Sequence, residues 1–453
     1  MLKKIVIFSL FVFSLIPSIV LAEGKIVATL HSSEGIVQIL PAGESNWSIA
    51  NDNQEFRVGD VVKVGKHGRA SIKFIDGTLV RVSKNAALTF EDVNAKKESF
   101  AVNLKQGLLH LFSRENKEHP EIKTPTMTAA IHGTEFVVDA NEDYTKTTVI
   151  TGAVEGKNAY GSVIARGSEA IIAQKGSAPR KALVVDPYES AQWTFYYPAV
   201  LDASDFVDFE EGATSEEKIA YQALLQGNLQ KAASLRGNSW RSSLLRSVVL
   251  AKEGDNVKAL EELEKANGSS TSYYLQKSSL QLSLGEVEEA KKSLVIASGL
   301  SRSLPQASKA KMQSAIAAEN SVIALTANNT DEAKALLEVA EEKDASSATL
   351  FLARSYYNQA KFDLKSAYND AEELLKILPN SADANLRLAE LALSFDNTKE
   401  AKQYIEKALE IDPENAMAYT MGGFVALQES EQEEADRNFS KALSLNKDLP
   451  IAH

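Results

Sequence analysis

The sequence predicts an all-β module followed by an all-α solenoid, and three observations carry that expectation. Short runs rich in Val, Ile, Thr and Phe, separated by Gly and turn residues, fill residues 24–182. From Thr214 an Ala-, Leu-, Glu- and Lys-rich pattern with helical spacing takes over. Within it small residues return at 34-residue steps, the mark of stacked helical hairpins.

Lys3 and Lys4, an apolar run over residues 5–16 and the small-residue site Val20-Leu21-Ala22 read as a secretory signal peptide, residues 1–22. Pro17-Ser18 interrupts the run short of the ~20 apolar residues that span a bilayer. The expectation is therefore a cleaved, exported protein of the periplasm, not an integral membrane protein. The remaining 431 residues exceed one hydrophobic core, so at least two units are expected. The chain has no Cys, which removes disulfides, thiolate metal sites and a lipidated cleavage point. Residues 23–200 carry 20 Lys+Arg against 21 Asp+Glu, and residues 201–453 carry 27 against 40. Such an acidic chain lacks the Lys/Arg surface that phosphate backbones require, which excludes nucleic acid as a partner, and it is equally unsuited to anionic lipid.

In the β module, expected as residues 23–185, Ala70-Ser71-Ile72-Lys73-Phe74 and Thr78-Leu79-Val80-Arg81-Val82 alternate strictly, as half-buried strands do. Asp76-Gly77 between them predicts a tight hairpin. Residues 186–213 read as an aromatic and acidic connector packing across the join, with Trp193, Phe195, Tyr196 and Tyr197 burying area.

Over residues 214–449 the pattern repeats about six times after a partial cap. Ala259, Ala290, Ala333, Ala367, Ala401 and Ala435 hold one position; the last four are 34 residues apart, with a 31-residue step before Ala290 and an insertion after it. Small residues at helix crossings allow close approach, while Leu263, Leu294, Leu337, Ile405 and Phe439 fill the gap. Pro379 and Pro413 end the second helix of their units. Gly423 supplies the small residue of a first helix, with Ala389 its counterpart.

This half resembles the tetratricopeptide-repeat (TPR) α-solenoid. The resemblance implies a groove, lined by the first helix of each unit, that binds peptides or protein partners. On that basis Tyr274, Tyr357, Asn385 and Tyr419, placed on first helices, are candidate partner contacts. The N-terminal half resembles the FecR-type periplasmic domain. The matching series is Gly35-Ile36-Val37, Gly59-Asp60-Val61-Val62, Gly68-Arg69-Ala70, Asp76-Gly77-Thr78, residues 104–109, Thr124-Pro125 and Gly133-Thr134-Glu135-Phe136-Val137-Val138. It implies a short β-helix or solenoid-like stack of strands serving as a sensing or docking module. The family commonly carries Arg where this chain has His132.

A catalytic constellation is missing. The six His form no HExxH or His-x-His motif, and no Gly-x-Ser-x-Gly elbow occurs. Gly65-Lys66-His67-Gly68 and the Gly152-to-Gly156 string lack phosphate-loop spacing and read as turns. His132 reads as a turn-flanking residue and a candidate partner contact. Trp47, in a loop after Pro41-Ala42-Gly43, is a second candidate. No catalytic residue, metal or cofactor is expected. The expected function is a non-enzymatic periplasmic adaptor that docks envelope proteins; the alternative is a peptidoglycan- or polysaccharide-binding protein using the β module.

Overall fold

The computed structural model describes residues 25–94, 99–112, 121–184, 199, 201–209, 212–327 and 329–446; the side chains at 92–94, 99–100 and 131–134 are outside that description. The expected signal peptide and the connector aromatics Trp193, Phe195, Tyr196 and Tyr197 lie outside the described residues.

The strand-rich unit comprises β1 (Ile26–Glu34), β2 (Val37–Leu40), β3 (Ser48–Ile49), β4 (Glu55–Arg57), β5 (Val61–Val64), β6 (Arg69–Phe74), β7 (Leu79–Val82), β8 (Ala87–Asn94), β9 (Ser99–Phe112), β10 (Glu121–Lys123), β11 (Thr128–Ala140), β12 (Tyr144–Asn158), β13 (Gly161–Arg166), β14 (Glu169–Gln174) and β15 (Arg180–Leu183). All fifteen join one hydrogen-bonded network. β9 and β10 pair in parallel; hairpins such as β6–β7 and β11–β12 are antiparallel. The β6–β7 hairpin turns at Asp76-Gly77: Asp76 Oδ1 accepts from Thr78 N at 2.8 Å and Gly77 takes φ 88°, as the sequence leads one to expect.

β9 links the layers. Its first part pairs with β8 and its last part with both β7 and β11. Gly107 sits at the changeover with φ 106°, where an added Cβ would lie 2.5 Å from the Ala86 Cβ. Only glycine fits there. Between the layers Phe56 of β4 stacks on Phe90 of β8 at 5.2 Å, and Phe74 of β6 meets Phe90 edge-on at 6.0 Å. All three rings are buried.

Two turn readings are corrected here. His132 and the Gly152-to-Gly156 string lie inside β11 and β12, with His132 opposite Ala153. The register shifts between His132 and Thr134 and again between Glu135 and Phe136, and Gly152 takes φ 78°. The residues left out of the register are Gly133 on β11 and Ile150 on β12, so the long strand pair carries two bulges, which bend the ladder without reversing the chain.

The helices are α1 (Ser215–Leu225), α2 (Leu229–Ala233), α3 (Trp240–Lys252), α4 (Asn256–Glu264), α5 (Thr271–Ser283), α6 (Val287–Ser301), α7 (Gln306–Thr326), α8 (Thr330–Lys343), α9 (Ala348–Ala360), α10 (Leu364–Ile377), α11 (Ala382–Ser394), α12 (Thr398–Ile411), α13 (Ala416–Gln428) and α14 (Gln432–Leu445). They stack as hairpins in a TPR-like solenoid, odd-numbered helix first. Ala259, Ala290, Ala333, Ala367, Ala401 and Ala435 all lie on second helices and are fully buried. The irregular steps have structural causes. α4 has only 9 residues, which shortens the step to Ala290, and α7 has 21 where α5, α9, α11 and α13 have 13.

Side chains of Ser, Asp or Asn cap most of the helices: Ser270 for α5, Asp363 for α10 and Asn415 for α13 accept from the amide three residues on. Each satisfies an otherwise orphaned donor, worth about 1 kcal/mol. The extended α7 carries Glu319, fully buried, with neither carboxyl oxygen hydrogen-bonded among the described residues. Burial pushes its carboxyl up to about 8, so near neutrality it is mostly the uncharged acid.

Two expectations follow. An added Cβ at Gly423 would lie 2.6 Å from the Phe439 ring, so G423A should lower stability by about 1–3 kcal/mol in chemical denaturation; an unchanged midpoint would mean that Phe439 moves freely. Glu319 titrates near 4.5 when unfolded and near 8 when folded. Its contribution is complete below pH 4.5 and is lost as pH rises through 8. At about 1.4 kcal/mol per pKa unit, the difference between E319Q and wild type should move by a few kcal/mol in favour of the variant from pH 5 to pH 9.

Candidate functional site

Two clusters of polar contacts join parts of the chain far apart in sequence. The first holds the β unit against the helices. The β5–β6 turn carries Gly65-Lys66-His67-Gly68, and its glycines let backbone approach backbone. A Cβ on Gly68 would lie 2.9 Å from the Glu34 carbonyl, and one on Gly35 would lie 3.2 Å from Val257 of α4. With that surface flattened, the side chains between the glycines reach the solenoid. Lys66 Nζ donates to Glu264 at 2.6 Å, and Lys277 Nζ lies 3.1 Å from the same carboxylate. His67 Nδ1 is 3.3 Å from Glu286, which Lys84 Nζ meets at 2.7 Å. Arg69 grips Glu34 through Nε and Nη2 at 2.9 and 2.7 Å and donates to the Ser283 carbonyl at 3.4 Å.

Burial opposes the charge on Glu264, yet bonds from Lys66 and Lys277 outweigh it and hold the carboxyl at about 2. Glu286 is likewise lowered: burial works against its ionisation, and His67 and Lys84 overcome it. Beside this latch a cleft of about 500 Å³ opens between Leu108, Val137 and Lys146 of the sheet and the α5–α6 turn.

The second cluster seats residues 201–209, the end of the expected connector, on the solenoid. Asp208 accepts from the amides of Thr271 (2.7 Å) and Ser272, and from the Ser272 hydroxyl, at the start of α5. Asp205 accepts from the Ser347 hydroxyl at 2.9 Å and the Thr349 amide at 3.1 Å, at the start of α9. Lys311 of α7 donates to the Ser204 carbonyl at 2.8 Å and lies 3.5 Å from Asp205. The segment thus crosses three successive first helices. Phe206 and Phe209 are buried, with Phe209 4.6 Å from the Tyr221 ring, whose hydroxyl donates to the Ala203 carbonyl at 2.8 Å. Burial raises the Asp205 carboxyl, against the pull of Thr349 and Lys311.

The candidate contacts fall differently around these clusters. Tyr274 and Tyr357 are half-buried and pack on the same apolar cluster as Leu201 and Val207. Asn385 is 2% exposed; its amide donates to the Ser381 carbonyl, and its Oδ1 has no partner among the described residues. Tyr419 is half-buried and donates to the Pro413 carbonyl at 3.3 Å. Trp47 is half-buried, with Lys63 Nζ 4.3 Å from its ring centroid. The His132 side chain lies outside the described residues. His110 bonds Glu135 at 2.9 Å and pairs in the ladder with Val137, five positions beyond His132. Among the described residues no three His, Asp or Glu gather as a metal site.

The sequence reading missed the latch and the two seating aspartates. The available signals were the charged pair inside Gly-Lys-His-Gly and the alternation of Asp with apolar residues in Asp-Ala-Ser-Asp-Phe-Val-Asp-Phe.

A family model described as FecR protein matches residues 60–155, and one described as tetratricopeptide repeat matches residues 359–421. The chain joins a FecR domain to tetratricopeptide repeats. Solved structures with similarity include a Parabacteroides distasonis protein provisionally assigned as an anti-sigma factor, 17% identical, covering 31% of this chain and 68% of its own, TM-score 0.27. A tetratricopeptide repeat protein from Parabacteroides merdae is 16% identical over 55% of this chain and 99% of its own, TM-score 0.33. YrrB, a TPR protein with an unusual peptide-binding site, is 20% identical over 44% of this chain and 95% of its own, TM-score 0.27. A comparison with curated proteins gives no match. The matched families are non-catalytic, and the repeats are a protein-interaction domain. Among the described residues no helix is long and apolar enough to cross a membrane.

The FecR-to-repeat latch is testable through its carboxylates. Glu264 titrates near 2 folded and near 4.5 unfolded, so its stabilisation is present above pH 4.5 and lost as pH falls through 2. E264Q/E286Q should show a larger radius of gyration by small-angle scattering at pH 7 than wild type. Wild type should expand only as pH falls below about 4.5. A variant with unchanged dimensions would contradict the latch.

Proposed function

We propose that this protein is a non-enzymatic adaptor of the bacterial cell envelope, exported by residues 1–22 and docking protein partners through its FecR domain and its repeats. One observation carries the reading: the FecR domain is itself docked on the solenoid, through the latch around Glu264 and Glu286. A β surface that seats on a helical edge by charged contacts is built for protein recognition, since charge complementarity selects partners and register. The chemistry of the two clusters agrees. Their His, Glu, Asp and Lys groups are spent on one another and on helix ends, which fixes the geometry of the chain.

Trp47 and Tyr419 stay as proposed partner contacts, because neither belongs to either internal cluster, and His132 stays as one on its place in the sequence. Tyr274 and Tyr357 are proposed contacts for a partner that takes the place of residues 201–209. Asn385 is proposed as a contact only in a conformation that opens α11, given its burial.

In-cell cross-linking followed by affinity capture should recover a defined set of envelope proteins with the full chain. W47A and Y419A should each reduce recovery of at least one of them while leaving the melting temperature within a few degrees. Capture of the same proteins by an unrelated exported acidic protein would defeat the proposal.

A further inference from the structure

The seat of residues 201–209 has the form of a peptide complex made within one chain. A stretch folded into two consecutive turns, the 3-10 turn Ala203–Asp205 and a second closed by Phe209 N donating to the Phe206 carbonyl, meets the starts of α5 and α9 and the second turn of α7. Its carboxylates are three residues apart and meet amides at two helix starts, where the helix dipoles favour negative charge. Two cations read the segment: Lys311 donates to the Ser204 carbonyl at 2.8 Å and lies 3.5 Å from the Asp205 carboxylate, and Arg241 Nε donates to the Phe209 carbonyl at 2.8 Å. Asp205 is fully buried, and its Oδ1 has no hydrogen-bond partner among the described residues, with the Lys311 ammonium 3.5 Å away. Phe206 and Phe209, each directly after one of these aspartates, fill apolar space. The repeats therefore read a pattern: carboxylate, aromatic, one spacer, carboxylate, aromatic.

We infer that the cleft formed by the starts of α5 and α9 with Lys311 is a binding site for acidic peptides of the form Asp-Phe-x-Asp-Phe bound in a turned conformation, held in this chain by its own residues 201–209. The inference rests on the adaptor reading and names the chemistry of one class of its partners: a protein segment that presents this pattern and takes the cleft when the internal segment leaves it. The groups that recognise it are the amides of Thr271, Ser272 and Thr349, the hydroxyls of Ser272 and Ser347, and the Lys311 ammonium.

The test uses the full chain and a fluorescein-labelled nonapeptide with the sequence of residues 201–209, read by fluorescence anisotropy. D205N/D208N, with its internal segment weakened at constant volume, should bind the peptide at least tenfold more tightly than wild type. A peptide with both aspartates replaced by Asn should lose at least tenfold against the same variant. Equal binding by variant and wild type, absence of binding to the variant, or indifference to the Asn replacements would overturn the site. If the double variant does not fold by circular dichroism, D208N alone is read in the same way, with at least a threefold gain expected. Failure of both to fold makes the segment an inseparable part of the core and also overturns the site. Specific capture of envelope proteins by wild type, alongside no peptide gain in the variants, would leave the adaptor reading standing and remove this one.

Discussion

Asp205 and Asp208 each place a carboxylate on the amides at the start of a helix two hairpin positions apart, and the arrangement of the helical domain turns on those two caps. A helix start leaves several amides unsatisfied, and α5 and α9 meet that need partly with residues from outside the repeat pattern. The same stretch buries Phe206 and Phe209, each contributing roughly 1.5–3 kcal/mol. A solenoid built only of nearest-neighbour contacts is quasi-one-dimensional. This one gains a cross-tie from α1, through residues 201–209, to α9, and a second from Lys252 at the end of α3 to Asp383 of α11.

The FecR domain is attached by different physics. Its contact with the solenoid is mostly ionic, with Lys66, His67 and Lys84 meeting Glu264 and Glu286. The contact is possible because Gly68 packs against the backbone at Glu34 and Gly35, and Gly35 in turn comes within van der Waals reach of Val257. Partly buried ion pairs of this kind fix orientation more than they add stability. The acidic balance of the helical half thus acquires a local purpose: some of its carboxylates receive the basic turn of the FecR domain. Together, latch and seated segment define how the two domains are presented to a partner.

Much of this fold was legible in the sequence. The buried alanines from Ala333 to Ala435 appeared as a 34-residue period because helix crossing distance tolerates few side chains, and the Asp76-Gly77 hairpin appeared because few residues adopt its backbone. Glycine was less legible inside a bulged ladder: Gly133 is the extra residue of one bulge and Gly152, at positive φ, pairs beside it, a pattern that a sequence reading takes for turns. The clusters were harder still. Lys66 meets Glu264 across 198 positions and Asp205 meets Thr349 across 144, and no local periodicity encodes such contacts. Tyr274 and Tyr357 were correctly placed on first helices, but their apolar surroundings include a segment from the connector.

The central claim is that the FecR domain and the repeats form one body, tied by the latch and by residues 201–209. The chain has no native cysteine, so paired spin labels can be introduced without background at the exposed positions Glu44 and Lys292. Double electron–electron resonance on that pair, at pH 7 and moderate salt, should give a single narrow distance distribution. A broad distribution, or several populations, would show the two domains moving independently and would contradict the account.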